Sequence, residues 1–319
     1  MRILFFGTSE FAVPILQRLA SAGARAEPEW RVVAVVTQPD RPRGRGLRLS
    51  SPPVKLLAEQ MGLPVLQPVK VRAASFLQVA RNLQPDVLVL AAFGQIIPQT
   101  LLDLPPLGPI NVHASLLPAY RGAAPIQRAI MNGEQLTGVT TMWMDATLDT
   151  GDILLQRSLP IEPDDTAGTL THKLAQMGAD LVVETLHLLS QGRCPRVPQD
   201  HTAATYAPAL TGEDVVIPWC HTAEAINNRI RALNPFPGAS SFFHERRLKI
   251  WRARPLPGAS GDPGRITRLT PEGPEVETGS GRLVLLEVQP EGRRTMTGAE
   301  WARGARIQVG DRLTSAISG

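Results

Sequence analysis

Cysteine is almost missing: Cys194 and Cys220 are the two in 319 residues. Two thiols cannot build a disulfide framework or an all-cysteine metal site, and a reducing, cytoplasmic setting is the expectation. No apolar stretch approaches 18 residues, which excludes a spanning helix, and no membrane partner is expected. The opening MRILFFGTSE has too short an apolar run for a signal peptide. The first strand-like run is followed by Gly7-Thr8-Ser9-Glu10-Phe11 rather than G-x-G-x-x-G. The glycines that admit a pyrophosphate are therefore absent, which argues against NAD or FAD. The six histidines, at 113, 172, 187, 201, 221 and 244, form no H-E-x-x-H and no short-spaced ligand set, so no metal is expected. Ser115 sits in no G-x-S-x-G, which disfavours a serine hydrolase. Lysine is also scarce. Four of the 33 basic residues are lysines, Lys55, Lys70, Lys173 and Lys249, and the other 29 are arginines.

What is present describes an ordinary globular chain. It is 43% hydrophobic with a net charge of +4, which excludes wholesale disorder, and it is long enough for two cores. Apolar, β-branched runs at 2–6, 31–37, 63–66, 86–92 and 110–113 alternate with helical patterns at 10–20, 52–61, 71–83 and 122–132. That alternation predicts a mostly parallel sheet covered on both faces. Two further strands are predicted at 139–144 and 153–158, then a helix over 169–189. A polar, proline-punctuated stretch follows and reads as a linker. Beyond it, a helix at 222–233 precedes short strand-like segments at 240–244, 247–253, 264–269, 274–278, 282–288 and 305–309. The fold class is thus α/β followed by a small β-barrel or sandwich.

The densest polar chemistry is NVHASLLPAYRGAAP at 111–125, at the end of a predicted parallel strand, where open α/β sheets place ligands. Asn111 and His113, two apart, share one face of an extended segment. An amide donor beside an imidazole suits stabilisation of a developing oxyanion. A structural histidine is the competing reading of His113. Asp145 and the Asp149-Thr150-Gly151-Asp152 turn could be structural, or could add a carboxylate to that pair. The set would then serve proton transfer from an attacking amine.

Residues 38–55, QPDRPRGRGLRLSSPPVK, place Arg41, Arg43, Arg45, Arg48 and Lys55 against the single acid Asp40, with Gly44 and Gly46 between. Such a loop is either solvated or ordered on a phosphate-rich partner such as tRNA. Residues 206–319 carry a net +3, compatible with an auxiliary nucleic-acid surface that uses Arg229, Arg231, Arg246, Arg247 and Lys249.

NVHASLLPAYRGAAPIQRAI with TGVTTMWMDATLDTGDIL, MRILFFGTSEFAVP, TQPDRPRGRG, IRALNPFPGA and EGRRTMTGAEWARG together resemble the methionyl-tRNA formyltransferase family over almost the whole chain. The resemblance implies a Rossmann-like formyltransferase domain over 1–190, a linker over 191–207 and a smaller, OB-like β-barrel tRNA-binding domain over 208–319. It implies transfer of formyl from 10-formyltetrahydrofolate, a cosubstrate, to the α-amino group of initiator methionyl-tRNA. It further implies that Asn111, His113 and Asp149 are catalytic, that Ser115, Leu116, Leu117 and Pro118 are the folate-associated stretch, and that the loop at 38–55 engages the tRNA acceptor end. A monomer is expected. Ala119 replaces the family's usual basic residue, and Tyr206-Ala207-Pro208-Ala209-Leu210 lacks its lysine. The alternatives are a folate formyltransferase acting on an amino sugar, and a non-catalytic RNA-binding protein on a degenerate enzyme fold.

Overall fold

The computed structural model describes residues 1–23, 30–43, 48–259 and 261–316. The chain divides into two compact units. One comprises Met1–Pro125, Leu136–Pro160 and Thr171–Ala207, and the other Ile126–Gln135, Ile161–Leu170 and Pro208–Gly319. Residues 191–207, read from the sequence as a linker, group with the first unit.

The first unit is built on a seven-stranded sheet. Its elements in chain order begin with β1 (Arg2–Gly7), α1 (Ala12–Gly23), β2 (Arg31–Val36), β3 (Arg41–Arg43), β4 (Arg48–Ser50), α2 (Pro53–Gln60) and β5 (Val65–Leu66). They continue with α3 (Ala74–Asn82), β6 (Val87–Ala91), α4 (Gln99–Leu102), β7 (Pro109–His113), β8 (Leu136–Trp143), β9 (Ile153–Pro160) and most of α6 (Ala167–Ser190), while α5 (Pro125–Met131), between β7 and β8 in the chain, groups with the second unit. The strand order is β5-β2-β1-β6-β7-β8-β9. The first five strands run parallel, whereas β8 and β9 each run antiparallel to their predecessor.

All five residues of β6 are buried, as a strand covered on both faces must be. Phe6, Leu4, Leu88 and Val36 join Phe76 and Ala80 of α3 and Leu101 and Leu102 of α4 in one apolar cluster. Pro14 stands third in α1, within the turn where helical N–H groups have no partner, so the helix tolerates it. Strand order reverses at β1: the chain moves outward to β2 and β5, then returns to β6 on the other side. The crevice beyond the strand ends at that reversal is where such sheets bind ligands. There the Thr8 hydroxyl donates to the Phe93 carbonyl at 2.8 Å, linking the loops that follow β1 and β6.

In the second unit the chain continues through α7 (Gly212–Val215), α8 (Ala223–Ala232), β10 (Ala239–Phe243), β11 (Arg246–Leu256), β12 (Ile266–Leu269), β13 (Pro274–Glu277), β14 (Arg282–Pro290), β15 (Met296–Thr297) and α9 (Gly298–Gly304). The antiparallel order is β10-β11-β14-β13-β12, with β15 on β14. Residues near the C-terminus serve both edges. Thr314 exchanges backbone hydrogen bonds with Phe242 on β10. At the other edge, Leu313 donates to Gly264, and Ile266 at the start of β12 donates to Asp311. The open edges of the sheet are thereby occupied, which is how a small barrel hides unpaired strand groups. Its core packs Ile226 and Ile230 of α8 against Leu248, Ile250, Leu283, Leu285 and Trp301.

The strand predicted at 305–309 is not there. Thr297 and Glu300 form a reciprocal capping box that starts α9 instead. The chain leaves that helix through Arg306 at φ +55°, a left-handed conformation incompatible with a strand.

Candidate active site

β7 carries Asn111 and His113 with their side chains on one face, as the two-residue period requires. The third member arrives from the turn between β8 and β9. Asp149 sits at φ +53°, a conformation that Asp tolerates better than most residues. Its Oδ2 accepts the backbone N–H of Gly122 at 2.9 Å and lies 3.7 Å from Nδ1 of His113. Its Oδ1 accepts a long hydrogen bond of 3.4 Å from Nδ2 of Asn111, 38 positions earlier in the sequence. The three residues therefore meet, and the His113 and Asp149 side chains are only 7% and 11% exposed.

The opposite edge of the imidazole settles its tautomer. Nε2 lies 2.9 Å from the carbonyl oxygen of Tyr120, which can only accept, so Nε2 carries a proton. Nδ1 is left facing the Asp149 carboxylate at a distance suited to charge pairing rather than to a direct hydrogen bond. Nδ2 of Asn111 carries two N–H groups, and one is directed at Asp149.

Gly151 makes the turn possible. A Cβ there would lie 1.8 Å from the Trp143 carbonyl oxygen, so only glycine fits. A brace from the supposed linker holds the same turn. Gln199 donates through Nε2 to the carbonyls of Asp149 at 2.9 Å and Gly151 at 2.7 Å. Its Oε1 accepts from Nε and Nη2 of Arg121, at 3.1 and 2.7 Å. Arg121 is 2% exposed, the largest fully buried side chain among the described residues. Thr205, from the same segment, accepts the Tyr120 N–H. Sequence reading noted Arg121 only as a charged fork and missed Gln199 and Thr205, because nothing local distinguishes them.

The stretch after β7 is locked internally. Ser115 is buried, and its hydroxyl donates to the Ala119 carbonyl at 2.6 Å. The Thr140 hydroxyl donates to the Ser115 carbonyl and accepts the Leu117 N–H. Gln156 donates to the Leu117 carbonyl. Leu117 is buried, while Leu116 and Pro118 are partly exposed. A ligand would thus meet backbone and partly exposed apolar surface here, since the Ser115 hydroxyl is already engaged.

Of the arginine-rich loop, Arg41 is exposed and its guanidinium donates to Gln38 at 3.2 Å. β3 and β4 pair as a short antiparallel ribbon, Arg43 opposite Arg48, where the sequence suggested irregular loop. Arg45 and the side chains of Arg43 and Arg48 lie outside the described residues. Lys55 is half-buried and ion-paired with Asp40 at 2.7 Å, so it anchors the base of the ribbon. Lys55 and Gln67 hold the Asp40 carboxyl below the usual carboxylate range.

In the second unit, several expected surface cations are occupied. Arg229 donates to the carbonyls of Glu213, Asp214 and Val216, Arg231 to those of Glu162 and Asp165, and Lys249 to that of Pro237. Burial pushes the Arg229 and Arg231 pKa values down. Arg246 and Arg247 remain exposed. An open cavity of about 1060 Å³ in this unit mixes Glu134, Asp164, Glu224 and Glu272 with Arg231, Arg252 and Arg254. Its acids outnumber its arginines, so it is not a phosphate trough. Among the described residues no group of His, Cys, Asp and Glu could hold a metal ion, and no helix is long and apolar enough to cross a membrane.

Comparison with known proteins gives the family and the fold. The formyl transferase family model matches residues 1–186, and the model of the formyl transferase C-terminal domain matches residues 209–306. Among solved structures, an N-formyltransferase from Helicobacter canadensis, in complex with folinic acid and dTDP-3-aminofucose, covers 89% of this chain and 98% of its own, with a TM-score of 0.66 at 20% identity. HypX from Aquifex aeolicus, in complex with tetrahydrofolic acid, covers 98% of this chain and 48% of its own, with a TM-score of 0.65 at 19% identity. The class is therefore a two-domain formyltransferase, a Rossmann-like unit followed by a smaller β-rich one.

Sequence relatives narrow it. The methionyl-tRNA formyltransferase of Moorella thermoacetica is 50% identical over 98% of this chain and 99% of its own length. That of Pelotomaculum thermopropionicum is 47% identical over the full length of both. The chain belongs to the methionyl-tRNA formyltransferase family.

Proposed function

We propose that this chain transfers the formyl group of 10-formyltetrahydrofolate to the α-amino group of methionyl initiator tRNA, in support of translation initiation in the cytoplasm. The observation that carries the reading is the convergence of Asn111, His113 and Asp149 in a chain about half identical to enzymes of that name over their full length.

The chemistry follows from the groups. The unprotonated amine attacks the formyl carbon, forming the new C–N bond. The carbonyl oxygen gains charge in the tetrahedral intermediate. The Asn111 N–H not directed at Asp149, and a positively charged His113 ring, stabilise it. Asp149 balances that ring charge through Nδ1 and fixes the Asn111 amide. Collapse breaks the bond between the formyl carbon and the folate nitrogen. Asp149 takes the proton lost by the amine, the positively charged His113 ring gives one to that nitrogen, and the proton on Asp149 then returns to the imidazole. None of these steps calls for a metal. The folate stretch is Ser115–Pro118, acting through its backbone and through Leu116 and Pro118. Arg41, Arg43, Arg45 and Arg48 are the cations for the phosphates of the tRNA acceptor end, Lys55 pairs with Asp40 beside β3, and the chain acts as a monomer.

The test is formylation of methionyl initiator tRNA by the wild type and by His113→Ala. The variant is expected to lose about 100-fold or more in kcat. Near-equal rates would sink the role of His113. A wild type that formylates an amino sugar and not the tRNA would sink the substrate assignment.

A further inference from the structure

The buried Arg121–Gln199 pair stands apart from every group used in the proposed reaction. Gln199 comes from a polar, proline-flanked segment, yet it is only 6% exposed. Both ends of its side-chain amide are engaged. Both amide N–H groups end on the carbonyls that flank Thr150, those of Asp149 and Gly151. Its oxygen is held by two N–H groups of one guanidinium. Arg121 in turn donates to Nδ1 of His201, which must accept because a guanidinium has no lone pair to offer.

A glutamine needed only to fill space would not require a buried arginine to fix its amide. The arginine selects the orientation in which Nε2, not Oε1, meets the two carbonyls. Residue 149 adopts a left-handed conformation, which a free turn would leave readily. Bonds to the carbonyls of residues 149 and 151 clamp it on both sides. The result is that the Asp149 carboxylate points at Asn111, His113 and the Gly122 N–H.

We infer that Gln199, oriented by Arg121, is a positioning residue that holds the Asp149 carboxylate in register with His113 and Asn111. It touches no substrate. The inference rests on the proposed formyl transfer, and wild-type turnover on methionyl initiator tRNA is the control that separates the two: if the wild type is inactive, the reading of function fails before that of Gln199 is addressed.

Two variants test it in the full-length protein. Gln199→Ala removes both donors. Gln199→Glu retains a partner for Arg121 but presents carboxylate oxygen to the two carbonyls. Both are expected to lower kcat by about 10- to 100-fold, the scale of a misplaced reacting group, with KM for either substrate changed less than about threefold. In an Asp149→Asn background, Gln199→Ala is expected to reduce the remaining rate less than about threefold, because the two act through one carboxylate. Thermal unfolding of each variant reports folding. Folded Gln199→Ala and Gln199→Glu proteins with wild-type kcat overturn the inference. So does a full, additive loss in the Asp149→Asn background. If Gln199→Ala fails to fold, Gln199→Glu decides: wild-type kcat overturns the inference and a kcat-selective loss supports it.

Discussion

Gly151→Ala perturbs the site without removing a polar atom from it. The added Cβ would lie 1.8 Å from the Trp143 oxygen, 3.0 Å from the Trp143 carbonyl carbon and 3.4 Å from the Asp145 nitrogen. A carbon tolerates an oxygen at about 3.3 Å, so the turn must retreat by about 1.5 Å. It cannot retreat freely, because Trp143 donates to the Asp152 carbonyl at 2.8 Å and Gln199 holds the Gly151 carbonyl. The strain therefore passes to Asp149, two residues away. A misplacement of about 1 Å can cost about 100-fold in rate, equivalent to about 2.7 kcal/mol of barrier. We expect Gly151→Ala to lower kcat for methionyl-tRNA formylation by about 100-fold, with a stability loss of about 1–3 kcal/mol. Steady-state formylation kinetics alongside thermal denaturation measure both. Gly304→Ala is the control, since its Cβ meets nothing within 4 Å and should leave kcat unchanged. A folded Gly151→Ala enzyme within about threefold of the wild-type kcat would refute the claim that this close approach sets the carboxylate.

Further expectations concern the loop, the second unit and the neighbour of the imidazole. Replacing Arg43 and Arg45 with Ala should weaken methionyl-tRNA binding, and the slope of log affinity against log salt should flatten by about 0.7 for each single-strand phosphate left without its arginine. Unchanged affinity across a salt titration would count against the loop. Asp214 makes a two-pronged pair with Arg128, at 2.7 and 2.8 Å, which is the main reason its carboxyl lies below the ordinary range despite some burial. A depressed folded-state pKa stabilises the fold above the unfolded value of about 4 and ceases to do so as pH falls through the folded one. Asp214→Asn should therefore cost about 1–3 kcal/mol at neutral pH, with the difference from wild type shrinking below about pH 4; a gap independent of pH in urea titrations would contradict the pairing. Asn111→Ala removes the amide that faces Asp149 and is expected to reduce kcat by about 100-fold with folate KM little changed; a loss confined to KM would move Asn111 from oxyanion stabilisation to binding.

Much of the fold was legible because its signals are local. The run VLVLA at 87–91 is apolar at every position, and a strand buried on both faces uses such a run. Asn111 and His113 announced a shared face through a spacing of two. One miss has an equally local cause. Residues 305–309 look extended by composition, but the Thr297–Glu300 capping box commits the preceding chain to a helix, and Arg306 then turns left-handed. What the sequence did not show is the set of partners that arrive from elsewhere in the chain. Lys55 looked like one more cation for a phosphate, yet Asp40, fifteen residues earlier, takes it. Arg229, Arg231 and Lys249 likewise spend their donors on backbone carbonyls.

By itself the sequence determined most of the element order, the two-part organisation and the chemical types at the site, because periodicity and motif spacing are properties of neighbours along the chain. Tertiary structure alone decided which groups meet. It brought Asp149 to His113 from a separate turn, placed Gln199 behind it from a segment that looked like a linker, and occupied the Ser115 hydroxyl with the Ala119 carbonyl. Those outcomes depend on where a hydrogen bond's second partner arrives in space, and a donor cannot be assigned its acceptor until the chain between them has folded.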